Sequence, residues 1–182
     1  MLKVRQTLIP DVLVIEPQVF RDERGFFYES YNEKAWLKAT GMTASFVQDN
    51  HSGSLQNTLR GLHYQIKQPQ GKLVRVVVGA VFDVAIDLRS KSPTFGDWVS
   101  QALTAEDQCQ LWIPEGFAHG FLVLSEYAEV VYKTTNYYAP EHERCILWND
   151  PDLAIAWPLQ AAPILSAKDG AGVSFRAAEI FP

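Results

Sequence analysis

The sequence predicts a mainly β protein, a jelly-roll β-sandwich or barrel with a few short helices. Gly, Pro, Asn and Asp interrupt the chain at intervals of about 8–15 residues, which is the spacing of turns between short strands. The runs between these turns are rich in Val, Ile, Phe, Tyr and Thr, the residue types that half-buried strands favour. Few helical patterns interrupt them. Many short strands with regular turns are typical of a two-sheet sandwich or a closed barrel.

The strands are expected where apolar and β-branched residues are densest. The run 72–88 is long enough for two strands joined at Gly79-Ala80, and its segments 73–78 and 82–86 are almost continuously apolar. Such segments are packed on both faces or lie at a subunit interface, so we expect an oligomer, most simply a two-fold dimer. The predicted β-rich runs are 12–20, 72–88, 97–104, 109–114, 118–125 and 128–135.

One segment before the C-terminal region reads clearly as a helix. It covers residues 32–40, where Asn32 is a suitable N-cap and Gly41 a suitable end. A second short helix is expected near residues 176–180.

Length and composition exclude several classes of protein. The 182 residues suit one domain over residues 1–182, and 47% hydrophobic with 20% charged residues is ordinary for a globular protein. A net charge of −5 without a basic cluster gives no reason to expect nucleic acid. No apolar run approaches the ~18 residues of a membrane span, so no membrane partner is expected. Cys109 and Cys145 lack metal-ligand spacing and are expected to be free thiols in a reducing cytoplasm.

The stretch NTLRGLHYQIKQPQGKLVRV (residues 57–76) places His63 and Lys72 in or beside apolar strands. Histidine is the commonest general base near neutral pH. Lys72 shares strand parity with Val74 and Val76, so it is either an inward group that stabilises developing negative charge or a strand-end lysine whose ammonium reaches water. Tyr132 shares parity with the apolar Val130. Its phenol is therefore expected to point inward, either as a general acid or as an ordinary core tyrosine.

Two arginines are candidates for binding an anionic ligand. Arg24 and Arg60 each neighbour a glycine, which lets the backbone approach a ligand closely, although single arginines are often surface residues. Strict alternation places Arg60 and His63 on opposite faces of one strand. Both can serve one site only if the strand begins after Arg60 or bulges at Gly61.

Metal ligation is a weaker interpretation of the same residues. Where a metal-binding β-sandwich enzyme carries two histidines one residue apart, this chain has His63 and Gln65, and His119 stands without a nearby second ligand. The polar run 48–51 either forms a strand-end turn or lines a binding site, where its side chains would recognise hydroxyl groups and a nucleobase. Tyr137 and Tyr138 either stack on a nucleobase or cover the end of the core.

A series of ordered motifs is similar to one enzyme family. Across about residues 3–170 the chain resembles the dTDP-4-dehydrorhamnose 3,5-epimerases, while residues 171–182 match nothing in that pattern. The motifs are RGFFYESYN, SFVQDNHS, LRGLHYQ, KLVRVVVGAVFDVAIDLR, SPTFGDW, LWIPEGFAHGFLVLSE, YKTTNYYAP and WNDPDLAIAWP.

The resemblance implies a cupin-like homodimer that works without a metal or other cofactor. The implied substrate is dTDP-4-dehydro-6-deoxy-D-glucose, and the implied product is dTDP-4-dehydro-β-L-rhamnose. The C4 ketone acidifies the hydrogens at C3 and C5. A base removes one, an enolate forms, and a proton returns on the opposite face.

The resemblance also implies the role of each site residue. His63 would be the base, Asp169 the carboxylate that orients it, Tyr132 the acid, and Lys72 the group beside the C4 oxygen. The 24–29 segment would be supplied by the partner subunit. The implied substrate-binding residues are Arg24, Phe26, Glu29, Gln48, Asn50, Arg60, Lys72, His119, Tyr138, Glu143 and Lys168.

Three alternatives remain at the level of sequence. A mono-epimerase that inverts only C3 or C5 of a related dTDP-4-keto-6-deoxy sugar would share His63 and Tyr132. A metal-dependent cupin would need more ligands than Gln65 allows. A non-catalytic binder of nucleotide sugars would have no need for His63, Tyr132 and Asp169.

Overall fold

The computed structural model describes residues 2–182, which form two facing antiparallel sheets. Within this range the chain has two short α-helices, α1 (Glu33–Thr40) and α2 (Ala167–Gly170). Its strands are β1 (Lys3–Gln6), β2 (Leu13–Glu16), β3 (Phe20–Asp22), β4 (Gly25–Phe27), β5 (Gln48–Leu55), β6 (Leu59–Gln65), β7 (Lys72–Val78), β8 (Ala80–Asp87), β9 (Trp98–Thr104), β10 (Gln110–Ile113), β11 (Phe117–Val123), β12 (Tyr127–Thr134) and β13 (Glu143–Cys145).

The two sheets enclose the main core. One sheet has the strand order β1-β2-β10-β7-β12-β5, and the other has the order β13-β6-β11-β8-β9. Val74 and Val130 of the first sheet belong to the same buried cluster as Val81, Leu103 and Phe121 of the second. Burying each such side chain contributes about 1.5–3 kcal/mol, which holds the two layers face to face. The predicted β-sandwich is confirmed.

The strand predictions hold where the sequence is apolar. The run 72–88 divides into β7 and β8 at Gly79, whose φ of +73° only glycine adopts easily. The run 12–20 is wrong as a single strand, because Pro17 separates β2 from β3. A strand-end turn at residues 48–51 is also wrong. These polar residues begin β5, which pairs with β12 along its whole length.

The helix prediction at residues 32–40 is confirmed. The Asn32 side chain accepts a hydrogen bond from the Ala35 N–H at 3.1 Å, and Gly41 ends the helix in the left-handed region with a φ of +73°. Trp36 is the buried residue of α1. The helix expected near residues 176–180 is wrong, since only a 3-10 turn forms there, at Phe175–Ala177. The sequence did not predict α2.

Strand β6 contains the bulge that the sequence requires if Arg60 and His63 are to share a site. His63 lies opposite His119 of β11, whereas Arg60 lies opposite Phe121. Three residues of β6 therefore span the same distance as two residues of β11, so one residue is extra. Gly61 adopts a φ of +117° at this point. The bulge is confirmed, and the alternative that the strand begins after Arg60 is wrong, because β6 starts at Leu59.

The C-terminal residues pack against the second sheet. Phe181 accepts a backbone hydrogen bond from Ser90 and donates one to Leu88, and the Phe175 and Phe181 rings contact a buried cluster that includes Leu62 and Ile86. That residues 1–182 form one domain stays a prediction, which a single cooperative unfolding transition would support. No helix in the described part of the chain is long and apolar enough to cross a bilayer.

The geometry at Gly61 predicts a large loss of stability on substitution. A Cβ at this position would lie 2.6 Å from the Gly120 Cα and 2.7 Å from the His119 carbonyl oxygen. Gly61→Ala should lower the free energy of unfolding by about 2–5 kcal/mol, through strain and overpacking together. Urea denaturation measures this change.

Two glycines serve as matched controls. Gly25 has a φ of +123° but open space around its Cα, and Gly170 has open space and no unusual φ. Gly25→Ala should report the cost of strain alone, and Gly170→Ala should be nearly neutral. A Gly61→Ala variant no less stable than Gly25→Ala would contradict the steric argument.

Candidate active site

A cavity of about 430 Å³ lies between the two sheets and collects most of the candidate residues. Strands β5, β7 and β12 supply one wall, whereas β6, β11, β13 and α2 supply the other. The cavity is therefore lined from opposite sides. Among the residues to which the resemblance gives a role, it is lined by Asn50, Arg60, His63, Lys72, His119, Tyr132, Tyr138, Glu143, Lys168 and Asp169.

His63 and Asp169 form a close pair although 106 positions separate them in the chain. His63 Nε2 lies 2.8 Å from Asp169 Oδ1. The same oxygen accepts a hydrogen bond from the Gly61 N–H at 3.1 Å, and Ser166 Oγ donates to Asp169 Oδ2 at 2.6 Å. The bulge thus directs the Gly61 N–H toward the Asp169 carboxylate. Because Asp169 contacts Nε2 of His63, Nδ1 is the ring nitrogen left free of this contact.

The surroundings of Asp169 favour its ionised form. Burial alone would raise the pKa of this carboxyl, but the contact with His63 and the hydrogen bonds from Ser166 and Gly61 together lower it below its usual range. Asp169 is therefore a carboxylate at neutral pH. Its negative charge can stabilise an imidazolium that forms on His63.

Lys72 points into the protein, which is one of the two alternatives that its parity with Val74 and Val76 left open. It is 8% exposed, and its Nζ lies 3.5 Å from the His63 carbonyl oxygen. Burial lowers the pKa of Lys72 to about 8, although the negative charges of Asp83 and Glu143 oppose that shift. The ammonium at the base of the cavity is therefore the charged form only up to mildly alkaline pH.

A buried carboxylate, that of Asp83, holds the His119 ring, and strand parity alone does not predict this contact. His119 Nε2 lies 2.9 Å and 3.0 Å from the two oxygens of Asp83, which is fully buried. Burial lowers the pKa of His119, while the charge of Asp83 opposes that shift. A neutral His119 donates its Nε2–H to Asp83 and leaves Nδ1 without that partner.

Tyr132 contacts the main core and reaches the cavity from β12. Burial raises the pKa of its phenol, and the negative charge of Glu143 adds to that effect. The hydroxyl is consequently protonated at neutral pH and can give a proton. Because β12 and β6 belong to different sheets, Tyr132 and His63 approach the cavity from opposite sides.

Tyr138, Glu143 and Lys168 form a polar network at the cavity mouth. Tyr138 Oη donates to Glu143 Oε2 at 2.6 Å, and Lys168 Nζ forms an ion pair with the same carboxylate. Gln48 accepts from the Tyr138 N–H at 2.9 Å and donates to Asn50 Oδ1 at 2.9 Å. Gln48 therefore positions two wall residues without lining the cavity itself.

Gln65 is engaged in holding loops, which removes it from the weak metal-ligand set. Its Nε2 donates to the carbonyl oxygens of Gln68 and Tyr137 at 2.7 Å and 3.2 Å, and its Oε1 accepts from the Ala139 N–H at 2.9 Å. His119 faces Asp83 instead. The set His63, Gln65 and His119 thus offers no free group of ligands.

Three candidate residues lie away from this cavity within one chain. Arg24 pairs with Asp22, Phe26 is more than half exposed, and Glu29 lines a second cavity near Trp36. All three belong to the β3–β4 hairpin or the segment that follows it. This hairpin pairs with neither large sheet.

Sequence reasoning missed several residues of the site. Ser166 lines the cavity and fixes Asp169 through a capping box, which the pattern Ser166-Ala-Lys-Asp169 carries as a recognisable signal. Asp83 and Asp87 lie on the same face of β8, and strand parity does not say which of them faces the cavity. Asp87 instead binds Arg89 and the hydroxyls of Ser92 and Thr94 at the end of its strand.

The two-sheet sandwich is that of a cupin-like enzyme, and its cavity holds a histidine–carboxylate pair, a buried lysine and a tyrosine, groups that can transfer protons. The family model described as dTDP-4-dehydrorhamnose 3,5-epimerase matches residues 6–177. The chain belongs to this family.

Similar proteins agree with that assignment. The dTDP-4-dehydrorhamnose 3,5-epimerase of Pseudomonas aeruginosa is 63% identical over 181 residues, which cover 100% of both chains. The structure of dTDP-6-deoxy-D-glucose-3,5-epimerase from Legionella pneumophila in complex with dTDP-4-keto-L-rhamnose is 51% identical, with a TM-score of 0.96 over 98% of this chain and 95% of that one. ChmJ, a 3′-monoepimerase from Streptomyces bikiniensis in complex with dTDP-quinovose, is 34% identical, with a TM-score of 0.88 over 93% of this chain and 86% of that one.

Proposed function

We propose that this chain converts dTDP-4-dehydro-6-deoxy-D-glucose into dTDP-4-dehydro-β-L-rhamnose by inverting C3 and C5, a step of dTDP-L-rhamnose biosynthesis. One observation carries the proposal: His63 and Tyr132 approach one cavity from opposite sheets, with Lys72 buried beside them. Membership of the epimerase family and the 63% identical relative support it.

His63 is the base in this mechanism. Its Nδ1 takes the proton from a carbon next to the C4 ketone, and the electrons of the C–H bond form a carbon–carbon double bond while the carbonyl electrons move onto oxygen. Asp169, 2.8 Å behind the ring, stabilises the imidazolium that results. The contacts from Gly61 and Ser166 fix that carboxylate before the reaction begins.

Lys72 receives the charge that develops on the C4 oxygen. A buried ammonium stabilises an enolate more strongly than an exposed one does, because little water screens it. Asp83 and Glu143 keep enough negative potential nearby to oppose the loss of its proton.

Tyr132 returns a proton from the other side of the sugar ring. Its phenol is held protonated by burial and lies on the sheet opposite His63. Removing a proton on one face and adding one on the other inverts the carbon, and repeating the exchange at the second carbon inverts both. The carbon skeleton undergoes no net oxidation or reduction, so the reaction requires no redox cofactor.

The remaining cavity residues suit a nucleotide sugar. Arg60 and Lys168 are cations that can bind the diphosphate, and Tyr138 is a half-exposed ring that can stack on thymine. Asn50, His119 and Glu143 offer hydrogen bonds to the sugar and the base, and Gln48 supports Asn50 and Tyr138 from behind.

The proposal includes a homodimer in which each site is completed by the other chain. Arg24, Phe26 and Glu29 lie outside the cavity of their own chain, and the β3–β4 hairpin exposes Phe20, Phe26 and Phe27. An apolar hairpin of this kind is suited to burial against a second copy. A mass of one chain by light scattering at micromolar concentration would contradict the dimer. A cytoplasmic location stays a prediction that cell fractionation tests.

A mono-epimerase is the second candidate, because ChmJ shares the fold at a TM-score of 0.88. The fold alone therefore does not distinguish one inversion from two. The higher identities of 63% and 51% to proteins named as 3,5-epimerases favour the double reaction.

Removing the base should abolish proton exchange. His63→Ala should lower the rate of solvent deuterium incorporation at C3 and C5 by about 10²–10⁴-fold, because it removes the base that Asp169 supports. NMR of the sugar in deuterated water measures the exchange.

His142→Ala is the matched control, since this histidine does not line the cavity. It should exchange at the wild-type rate. Wild-type exchange in His63→Ala would show that His63 is not the base.

The protonation of Lys72 predicts how the rate changes with pH. A lysine pKa of about 8 means that the ammonium is present below that pH and is lost above it. The turnover number should therefore fall as pH rises through about 8, as measured in a series of buffers at saturating substrate. Lys72→Met should be slower by about 10²–10³-fold and should lack this alkaline decline.

Lys67→Met is the control, because Lys67 is an exposed loop residue. It should keep both the rate and the decline. An unchanged alkaline decline in Lys72→Met would assign that titration to another group.

A further inference from the structure

Cys145 lies beside the histidine–carboxylate pair but outside the substrate cavity. It is directly opposite His63 in the pairing of β13 with β6. One imidazole nitrogen of His63, the Cys145 Sγ and one Asp169 carboxylate oxygen all lie within 4.8 Å of one another. Among the described residues this is the one group of His, Cys, Asp or Glu side chains with such mutual distances.

Asp169 is the group that faces the buried ring nitrogen of His63. Nε2 is buried and lies 2.8 Å from Asp169 Oδ1. The neutral imidazole that acts as a base at Nδ1 carries its proton on Nε2, next to this carboxylate. A buried ring nitrogen beside a thiol and a carboxylate can exchange that proton for a metal ion.

We propose that His63 Nε2, Cys145 Sγ and Asp169 Oδ1 bind a thiophilic divalent cation of the Zn²⁺ class, and that this cation inhibits the enzyme. Three protein ligands of imidazole, thiolate and carboxylate type, with a fourth position left for water, are a common zinc environment. Two ligands of a tetrahedral zinc ion, each about 2.0–2.3 Å from the metal, are about 3.3–3.7 Å apart. His63 Nε2 and Asp169 Oδ1 would therefore separate slightly from 2.8 Å. Thiolate and imidazole also favour Zn²⁺ over Mg²⁺ or Ca²⁺.

The local charges are compatible with a cation. Asp169 is ionised, and Lys168, the nearby positive charge, is paired with Glu143. The Cys145 thiol is protonated before the cation arrives, because burial raises its pKa to about 11. Binding therefore breaks the S–H bond, forms the metal–sulfur bond and releases that proton to solvent. The Nε2–H bond of His63 also breaks as the metal–nitrogen bond forms, and the imidazole takes up a proton at Nδ1 instead.

The consequence for catalysis follows from where the cation would lie. The cation occupies Nε2 and the carboxylate behind the ring. The single N–H of the imidazole is then on Nδ1, so Nδ1 has no free lone pair to take the proton of the substrate. Cys145 does not line the cavity, so the substrate can still bind. Inhibition should therefore lower the turnover number and leave KM nearly unchanged. This readout rests on the proposed function, whereas the binding itself does not.

Binding is tested on the full-length chain with Co²⁺ and Cd²⁺ as spectroscopic probes. The wild-type protein should show a thiolate-to-metal charge-transfer band that saturates at one equivalent. Cys145→Ser should lose the band. Cys109→Ser should keep it, because Cys109 is a free, partly buried thiol outside this group. A band that persists in Cys145→Ser, or that disappears in Cys109→Ser, would overturn the site.

Inhibition is tested with Zn²⁺ and a chelator. The turnover number of the wild-type enzyme should fall with Zn²⁺ and recover on chelation. Cys145→Ser should keep the basal rate and need at least ~10-fold more Zn²⁺ for half inhibition. Equal sensitivity of the two proteins would overturn the inhibitory role. An enzyme without epimerase activity would disprove the proposed function, while the charge-transfer band would still decide the site.

Discussion

The site depends on one extra residue in strand β6. Without the bulge at Gly61, Arg60 and His63 would face opposite sides of the sheet, and the cavity would lose one of these two side chains. The same bulge points the Gly61 N–H at Asp169, so a single backbone irregularity also positions the carboxylate. The backbone of β11 at Gly120 lies too close for any side chain at this position. The backbone conformation of β6 at Gly61 therefore also determines how the side chains of the site are arranged.

The second general feature is the burial of charge between two rigid layers. Lys72, Asp83, His119 and Asp169 are all at least nine-tenths buried, and each faces an oppositely charged or hydrogen-bonding neighbour. Burial costs free energy for each charged group, and the paired contacts offset part of that cost. The same burial moves the pKa of Lys72 down and that of Tyr132 up. Folding therefore fixes the protonation states that the proposed chemistry needs.

The sequence predicts those parts of the fold and site that local patterns encode. The division at Gly79 and the helix capped by Asn32 follow from turn and capping chemistry. Strand parity left the inward Lys72 as one of two alternatives, and it required the bulge at Gly61 only if Arg60 and His63 share one site, as the family resemblance implies. Strand β5 was missed because its more buried residues, Gln48, Asn50, Ser52 and Ser54, are polar, and Asn50 and Ser52 line the cavity. The meeting of Cys145 and Asp169 with His63 depends on the pairing of β13 and the placement of a four-residue helix. No local pattern specifies such long-range register.

The central claim is that two groups on opposite sheets exchange protons at two carbons of one sugar. NMR of the product formed from dTDP-4-dehydro-6-deoxy-D-glucose in deuterated water tests it most directly. The account predicts deuterium at both C3 and C5, with both centres inverted to the L-rhamno configuration. Deuterium and inversion at one carbon only would identify a mono-epimerase, and a product without deuterium would contradict the proton-exchange mechanism.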